Sequence, residues 1–507
     1  MGTPAPAPGL AYATAAGRWV LTATILGSAI ASIDATVVGI ALPAIGRDFH
    51  TDIATLQWVV TAYTLTLAGL LLIAGALGDR YGRRRVFLTG VIWFAIASAL
   101  CGLAPGSGTL IAARALQGIG AALLTPGSLA ILQATFLPAD RSKAIGAWSG
   151  FGGVATAIGP FIGGWLVQSV SWRLIFGINI PIAAAVIAVT WRHVPESHDT
   201  EATGRIDNTG GLFVTLGLIG LTYGLIEGPG AGWGSAAVLT SLVAGIALLV
   251  SFVMWERRVA NPMLPLNLFS SRQFSATNVV TFIVYGALGG SLFLLPIQLQ
   301  QVSGYSPLEA GVSLLPITVI MLTLSARSGA LAARIGPRLQ MSVGPVLVGV
   351  GMALLSRVGS NGNYVTEVLP ALIVFGLGLA TTVAPLTSTA LSAVAARHAG
   401  VASAVNNDVA RAAGLIAVAV LPAAAGITGT AYLHPDEFSA GFRTAVFIAA
   451  ALCAFGGVLA ALTIRNAPPA PVSGVPARLG DQHLRSCALD APAAALLHSG
   501  PSQPERE

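Results

Sequence analysis

Hydrophobic residues along this chain fall into long apolar runs, and short polar segments separate one run from the next. A helix needs about 20 mostly apolar residues to cross the hydrocarbon core of a bilayer, and the runs have this length. The alternating apolar and polar residues of membrane barrel strands are missing from them. The pattern predicts an all-α integral membrane protein with fourteen transmembrane helices, at 18–41, 56–78, 86–104, 108–134, 143–168, 173–191, 210–228, 235–255, 275–299, 309–332, 339–357, 367–391, 398–426 and 441–464.

The composition excludes the soluble alternatives. The chain has 507 residues, of which 54% are hydrophobic and 9% are charged. Soluble domains carry about 25% charged residues, so this chain has too few charges to cover several water-facing domains. An intrinsically disordered chain would need low hydrophobicity and high charge, which is the opposite composition.

The positive charges predict the orientation. Sixteen of the loop Lys and Arg residues fall on the side of the N-terminus and four fall on the other side. Because basic loops stay in the cytoplasm, both termini are predicted to be cytoplasmic. The net charge of +6 is therefore a topology signal, and we expect no nucleic-acid partner. Arginine greatly exceeds lysine, with Lys143 the single lysine, which favours a bacterial cytoplasmic membrane as the location.

An internal repeat divides the chain. The frame Gly-Ala-Leu-x-x-Arg-x-Gly-x-Arg occurs at Gly75–Arg84 and again at Gly329–Arg338, each time between two predicted helices. Repeated six-helix halves are the architecture of many secondary transporters. We predict a disordered N-terminus at 1–17, one half at 18–193, a linker with two inserted helices at 194–258, a second half at 259–465, and a disordered tail at 466–507.

The first copy of the frame resembles the cytoplasmic signature of the major facilitator superfamily. Three other segments agree with this resemblance: the first is similar to a motif of the fourteen-helix drug:proton antiporter branch, the second to a motif of proton-coupled members and the third to a motif of exporters. These are Ser32–Pro43 in helix 1, Leu110–Ala122 in helix 4 and Gly159–Gly164, with Gly146 upstream, in helix 5. The resemblance implies the major facilitator fold and proton-coupled export, since the helix 5 motif is typical of exporters. Ala155, at a usual glycine of that motif, and Ala333, at a usual aspartate of the second frame, depart from the family pattern.

Asp34 and Arg114 are the candidates for proton coupling. Asp34 lies among apolar residues of helix 1, where an ionised carboxylate is costly, so it is suited to binding and releasing a proton. The alternative is a carboxylate near the outer interface that only hydrogen-bonds a neighbouring helix. Arg114 keeps its proton in proteins, so it can pair with a carboxylate but cannot carry the proton. Its alternative is to extend to the lipid headgroups.

Gating and sealing are assigned to two other motifs. The superfamily signature includes Asp79, Arg80 and Arg83, with Gly75 and Gly82 allowing a tight turn. An acidic residue there can sit at a helix N-terminus, and the resemblance implies that Asp79 latches the halves near Arg397. Simple positive-inside topology is the alternative for the arginines. Small residues on helix 5 favour close packing, with Pro160 at the bend. They are Gly146, Gly159, Gly163 and Gly164.

Other polar residues are candidates for a substrate cavity. Asp408 and Arg411 are three residues apart on helix 13, where they could neutralise each other or contact substrate. Gln117 lies on the same helix face as Arg114. Tyr63 and Tyr285 are the aromatic candidates.

The leading hypothesis is a proton-coupled secondary exporter of amphipathic drugs or antibiotics. No Walker loop is present, so we expect no ATP-driven transport by this chain. We expect a small amphipathic substrate, the lipid bilayer as partner, a monomer, and no metal or cofactor besides the proton gradient. A dedicated exporter of one endogenous metabolite is the alternative. A channel or a membrane-embedded enzyme is more remote, since the His residues do not cluster with acids at membrane depth.

Overall fold

The computed structural model describes residues 9–198, 206–360, 362–395 and 399–466. Within these residues, fourteen helices are long and apolar enough to cross a membrane, which confirms the predicted number. We number them α1 to α14. Their bounds are Ala15–Phe49, Ile53–Tyr81, Arg83–Gly102, Ser107–Thr135, Pro138–Ser169, Leu174–His193, Asn208–Ala231, Ala236–Glu256, Arg272–Val302, Pro307–Ile335, Pro337–Leu355, Tyr364–Ser392, Gly400–Ala424 and Pro435–Thr463.

Polar residues begin many of the helices. The Asp52 side chain accepts a hydrogen bond from the Thr55 amide at 2.9 Å and caps α2. Ser306 and Glu309 form a reciprocal capping box at the start of α10. Such caps satisfy amides that have no partner within the helix. The helices therefore extend beyond the predicted apolar runs, because capping residues and the first turn are polar.

The beginning of the chain differs from our expectation. Residues 1–17 are predicted to lack fixed structure, but α1 begins at Ala15. The Leu10 amide donates to the Thr135 carbonyl at 2.8 Å, and the Leu137 amide donates to the Leu10 carbonyl at 3.1 Å. Residues 9–14 thus gain backbone partners at the α4–α5 turn, which composition cannot reveal. Residues 1–8 and 467–507 lie outside the described residues.

The helices pack as two repeated sets of six. In the first half α1 packs on α5 and α6, α2 on α4, and α3 on α4 and α6. The second half repeats every one of these pairings between helices numbered eight higher, from α9 with α13 to α11 with α14. Gly82 and Gly336, at equivalent positions of the sequence frame, both have positive φ angles of 110° and 86°. The repeat predicted from ten residues therefore extends through the whole architecture.

The inserted helices α7 and α8 pack mainly on each other and join the halves at their side. α7 contacts α2 of the first half, where the Thr215 hydroxyl donates to the Gly69 carbonyl at 3.1 Å. It also contacts α13 of the second half, and Leu65, Leu218 and Leu415 form a small shared core. The inserted pair is thus in contact with helices of both halves, through a hydrogen bond to α2 and apolar packing on α13.

The two ends of the helix bundle differ in how the halves meet. We call them the Phe49 end, which holds the α1–α2 turn, and the Asp79 end, which holds the α2–α3 turn. At the Phe49 end, one continuous core contains residues of both halves. Toward the Asp79 end, the first half has its own core, and the second half has two others. The halves therefore share a core at the Phe49 end, whereas toward the Asp79 end each half has cores of its own.

Candidate functional site

Asp34 lies near the middle of α1 and is almost fully buried, with 1% of its surface exposed. Its Oδ2 atom accepts a hydrogen bond from Nη1 of Arg114 on α4 at 2.5 Å, and the two side chains form an ion pair. Arg114 is equally buried, so it does not extend to the membrane surface. The two residues predicted to act in proton coupling are in direct contact.

Two amides complete the shell around the carboxylate. Oδ1 of Asp34 accepts from Nε2 of Gln117 at 2.8 Å and from Nδ2 of Asn179 at 3.1 Å. Both amides also donate to the Ser98 hydroxyl, at 2.8 and 3.3 Å. Sequence analysis missed Ser98 and Asn179, because small neutral polar residues on α3 and α6 carry no motif signal.

Arg114 is held by further groups besides Asp34. Its Nε atom donates to the Val59 carbonyl at 3.0 Å, and Nη1 donates to Oε1 of Gln117 at 2.6 Å. The Tyr63 ring lies 4.4 Å from its Cζ atom, in cation–π contact. Helices α1, α2, α3, α4 and α6 thus all contribute to one buried polar network.

In this network the negative charge of Asp34 and the positive charge of Arg114 compensate each other. Taking two ions out of water is costly unless each is paired and hydrogen-bonded, as both are here. Removing one partner would leave the other buried and uncompensated, at a cost of about 3–5 kcal/mol. Protonation of Asp34 would likewise leave Arg114 buried without a compensating charge, because the carboxylate becomes neutral. Protonation of Asp34 and release of Arg114 are therefore expected to be coupled.

The α2–α3 turn contains a second set of charged residues. Asp79 pairs with Arg83, one helical turn away, at 2.7 Å. The carboxylate at the N-terminus of α3 is that of Glu196, whose Oε1 accepts from the Arg84 amide at 3.0 Å. The expectation that Asp79 occupies such a site is therefore wrong. Glu196 reaches it because the chain returns after α6, which local sequence does not show.

The remaining parts of this motif are placed as follows. Gly75 lies beside Pro126, with 3.8 Å between an ideal Cβ position and the Pro126 Cβ atom. The Arg80 guanidinium lies over the Tyr81 ring at 5.6 Å. Arg397, the proposed latch partner of Asp79, lies outside the described residues. The latch therefore stays a prediction.

Glycines of α5 make their closest contacts near the Phe49 end, while at mid-helix the ideal Cβ position of Gly153 lies 3.3 Å from the Leu322 side chain of α10. A Cβ atom at Gly163 would lie 3.2 Å from Val37, and one at Gly159 would collide with Thr36. Gly164 packs against the backbone of Pro307 and Leu308, and Gly311 packs against the backbone of Pro160. These contacts form the α5–α10 seam, by which we mean the contact between α5 and α10 around Gly164 and Gly311.

Gly146 does not take part in this packing. Among the described residues, no atom of another element lies within 4 Å of its ideal Cβ position, and the same holds for Gly150. The expectation of one continuous close-packed face on α5 is wrong for this part of the helix. The physical reason is that the halves separate toward the Asp79 end.

The candidate cavity residues do not form one group. Gln117 and Tyr63 are buried within the network around Asp34. Tyr285 is partly buried against the core of the second half. Asp408 and Arg411 make no ion pair within 4.0 Å among the described residues, and Oδ1 of Asp408 is buried without a hydrogen-bond partner. Of the two alternatives for these residues, a direct ion pair is not formed in this conformation, and contact with substrate stays a prediction.

Metal chemistry has no evident location in the part of the chain that the structure describes. No group of three or more His, Cys, Asp or Glu side chains there is arranged to hold a metal ion.

Comparisons with known proteins agree with this architecture. The sequence profile of the Major Facilitator Superfamily matches residues 24–419. The peptide transporter POT in complex with sulfate superposes with a TM-score of 0.65 over 90% of this chain and 96% of that one, at 14% identity. A bacterial homologue of the human lysosomal transporter Spinster gives 0.64 over 90% and 100%, at 16% identity.

Relatives found by sequence have a higher identity to this chain than these two structures have. The chain is 36% identical to the tetracenomycin C resistance and export protein of Streptomyces glaucescens, over 82% of this chain and 78% of that protein. It is 37% identical to the puromycin resistance protein pur8 of Streptomyces alboniger, over 82% and 83%. It is 38% identical to the multidrug resistance protein Stp of Mycobacterium tuberculosis strain CDC 1551 / Oshkosh, over 76% and 71%.

Two repeated six-helix halves, with a buried ion pair inside the first of them, define a polytopic membrane transporter fold. The chain belongs to the Major Facilitator Superfamily. It has the major facilitator fold with an inserted helix pair and fourteen membrane-spanning helices.

Proposed function

We propose that this protein is a proton-coupled exporter of amphipathic drugs or antibiotics across the bacterial cytoplasmic membrane. The names of its relatives support drug and antibiotic export. The observation that carries proton coupling is the Asp34–Arg114 pair, a buried carboxylate whose charge is fully compensated inside the first half. Binding of one proton to Asp34 would remove the negative charge that compensates Arg114.

The conformation fits one stage of an exchange cycle. With both termini cytoplasmic, the Asp79 end faces the cytoplasm and the halves are joined on the outer side. Asp34 is paired with Arg114, as an ionised carboxylate would be. We assign this arrangement to the state that has released its proton inward and is ready to take up substrate. Protonation of Asp34 from outside would then release Arg114 and accompany discharge of the substrate.

Asp34→Asn tests the proposal. The amide cannot carry a proton in exchange for substrate, so efflux driven by an imposed pH gradient should fall to background. Transport would be measured as dye or drug movement in inverted vesicles, and protein insertion would be checked in the same membranes. Asp436→Asn, a loss of an exposed carboxylate at the start of α14, should keep wild-type efflux. Gradient-dependent efflux by the Asp34 variant would refute the coupling role.

Substrate range is the second question, because the relatives differ in the breadth that their names imply. Multidrug resistance describes one relative, whereas tetracenomycin C resistance and export describes another. A substrate panel in an efflux-deficient host distinguishes the two. Low resistance to many compounds supports a multidrug exporter, and strong resistance to one supports a dedicated exporter.

A further inference from the structure

Two acidic side chains outside the Asp34 network face each other at the base of the inserted helix pair. Asp207 caps the start of α7, and Glu256 is the last residue of α8. Both are buried, with 9% and 3% of their surfaces exposed. Because α7 and α8 form a hairpin, its two ends bring the carboxyl groups together at the Asp79 end.

One oxygen of each carboxyl group has a donor. Oδ1 of Asp207 accepts from the Gly210 amide and from the Trp255 indole, each at 2.9 Å. Oε2 of Glu256 accepts from the Leu264 amide at 2.9 Å. These bonds fix the orientation of both groups.

The other oxygen of each group has no donor among the described residues. Oδ2 of Asp207 and Oε1 of Glu256 are both buried without a partner. A Cβ atom at Gly210 would collide with Oδ2 and lie 2.6 Å from Oε1, so the two oxygens lie side by side next to that glycine. The two carboxyl groups therefore face the same small space beside the Gly210 backbone.

No basic side chain compensates the pair in the described part of the chain. The packed elements contribute Asp79 and Arg80 on α2, Asp408 and Arg411 on α13, and Arg257 and Arg258 in the following loop. Arg257, Arg258 and Arg411 form no ion pair within 4.0 Å of either carboxyl group, and Arg205 lies outside the described residues. An ionised carboxylate can only accept hydrogen bonds, and ionisation of both of two adjacent buried carboxyl groups is strongly disfavoured by their mutual repulsion.

We propose that Asp207 and Glu256 form a proton-binding clasp, in which a single proton is shared between Oδ2 and Oε1. The proton comes from water on the cytoplasmic side and returns there when the clasp opens. Both carboxylates are then negative and repel each other. The clasp is therefore closed at low pH and opens as the pH rises.

The clasp controls a segment that leads into the second half. Glu256 holds the Leu264 amide, and Leu264, Leu268 and Phe269 pack against the start of α9 and against α13. α7 itself is bonded to α2 of the first half. A closed clasp thus fastens the linker 257–271 to a hairpin that is attached to the other half. If the chain is the exporter proposed above, cytoplasmic pH would alter how freely its halves move.

Infrared spectroscopy of the full chain in lipid nanodiscs tests the shared proton directly. The C=O stretch of a protonated carboxyl group should disappear as the pH is raised in the wild type. Asp207→Asn with Glu256→Gln should lack this titrating signal, whereas Glu437→Gln, an exposed carboxylate at the start of α14, should retain it. An identical titration in the double variant and the wild type would overturn the proposal.

Hydrogen exchange of the unmodified protein tests the effect on the linker. After correction for the intrinsic pH dependence of exchange, protection of the Leu264 amide should fall about tenfold as the clasp opens, which corresponds to one lost hydrogen bond. Unchanged protection through the infrared titration would refute the linker role. Neither experiment measures transport. A negative result for the clasp can therefore be distinguished from a negative result for proton-coupled export, which Asp34→Asn tests.

Discussion

The carboxyl group of Asp34 receives donors from three side chains on two other helices. A hydrogen bond to a charged group contributes about 1.5–3 kcal/mol, so these three donors offset part of the cost of burying the Asp34–Arg114 ion pair. Arg114 depends on the same carboxylate for its charge partner. A single proton therefore changes the bonding of both α1 and α4, which makes the pair suitable for coupling.

Tyr63 contributes to this site through its ring. The ring lies against the Arg114 guanidinium, and no hydrogen bond of its hydroxyl is among those formed within the described residues. A buried cation–π contact is worth up to about 2 kcal/mol. Tyr63→Phe should therefore keep coupled efflux near the wild-type rate, and Tyr63→Ala should reduce it about tenfold. Initial rates in vesicles at equal protein levels measure this, and a loss in the Phe variant would show that the hydroxyl is needed.

Sequence predicted the charged members of the site, together with Gln117 and Tyr63, and missed two small neutral ones. A carboxylate and an arginine in apolar runs are conspicuous because their burial is costly. Ser98 and Asn179 cost little to bury, so only the packing of α3 and α6 shows their role. Spacing alone also left two alternatives open for Asp408 and Arg411, because residues three apart share a helix face but their side chains can extend to different neighbours.

At the scale of helices, α5 and α10 are in contact near the Phe49 end and diverge toward the Asp79 end. The contact is between backbones, which glycine permits because it has no side chain. Sequence predicted close packing on α5, but it could not show that the closest contacts are limited to one end. That limit depends on the conformation of the whole protein.

Gly311→Val should open the Phe49 end. Its Cβ atom would press against the Pro160 carbonyl carbon, 2.8 Å away, and backbone cannot rotate out of the way as a side chain can. A cysteine at Val38, which is 2% exposed in the shared core, should then react faster with a thiol reagent in detergent. The native cysteines would first be replaced.

Gly146→Ala is the matched control for this prediction. Its added methyl group meets no atom of another described element within 4 Å, so labelling at position 38 should stay at the wild-type rate. Equal labelling in the Gly311 and Gly146 variants would contradict the role of the α5–α10 seam.

At the scale of the whole molecule, the repeat extends from local conformation to helix packing. Gly82 and Gly336 end equivalent helices with positive φ angles, and equivalent helix pairs then pack in both halves. The fold class, the number of helices and the repeat were predictable because each leaves a periodic signal in the sequence. The joining of the halves at one end was not, since it depends on long-range contacts.

Alanine at either turn glycine should destabilise the protein. Both glycines combine a positive φ with an extended ψ, of 123° at Gly82 and 155° at Gly336, which costs other residues about 1–3 kcal/mol, so Gly82→Ala and Gly336→Ala should each lower the midpoint of thermal unfolding. Gly82→Ala should have a marked effect, because its Cβ atom would lie 2.7 Å from Oε1 of Glu196. Gly78→Ala, in the α2 helix with open space around it, should not lower the midpoint. A fall of equal size in the Gly78 variant would contradict this explanation.

The network around Asp34 involves every helix of the first half except α5, and α5 instead forms the seam with α10. The ionisable groups of this network and the α5–α10 seam therefore reside on different helices. An inhibitor that wedged into the seam would not need to resemble either the substrate or a cation. Resistance to such an inhibitor could also arise on α5 or α10 without any change in the residues that handle the proton.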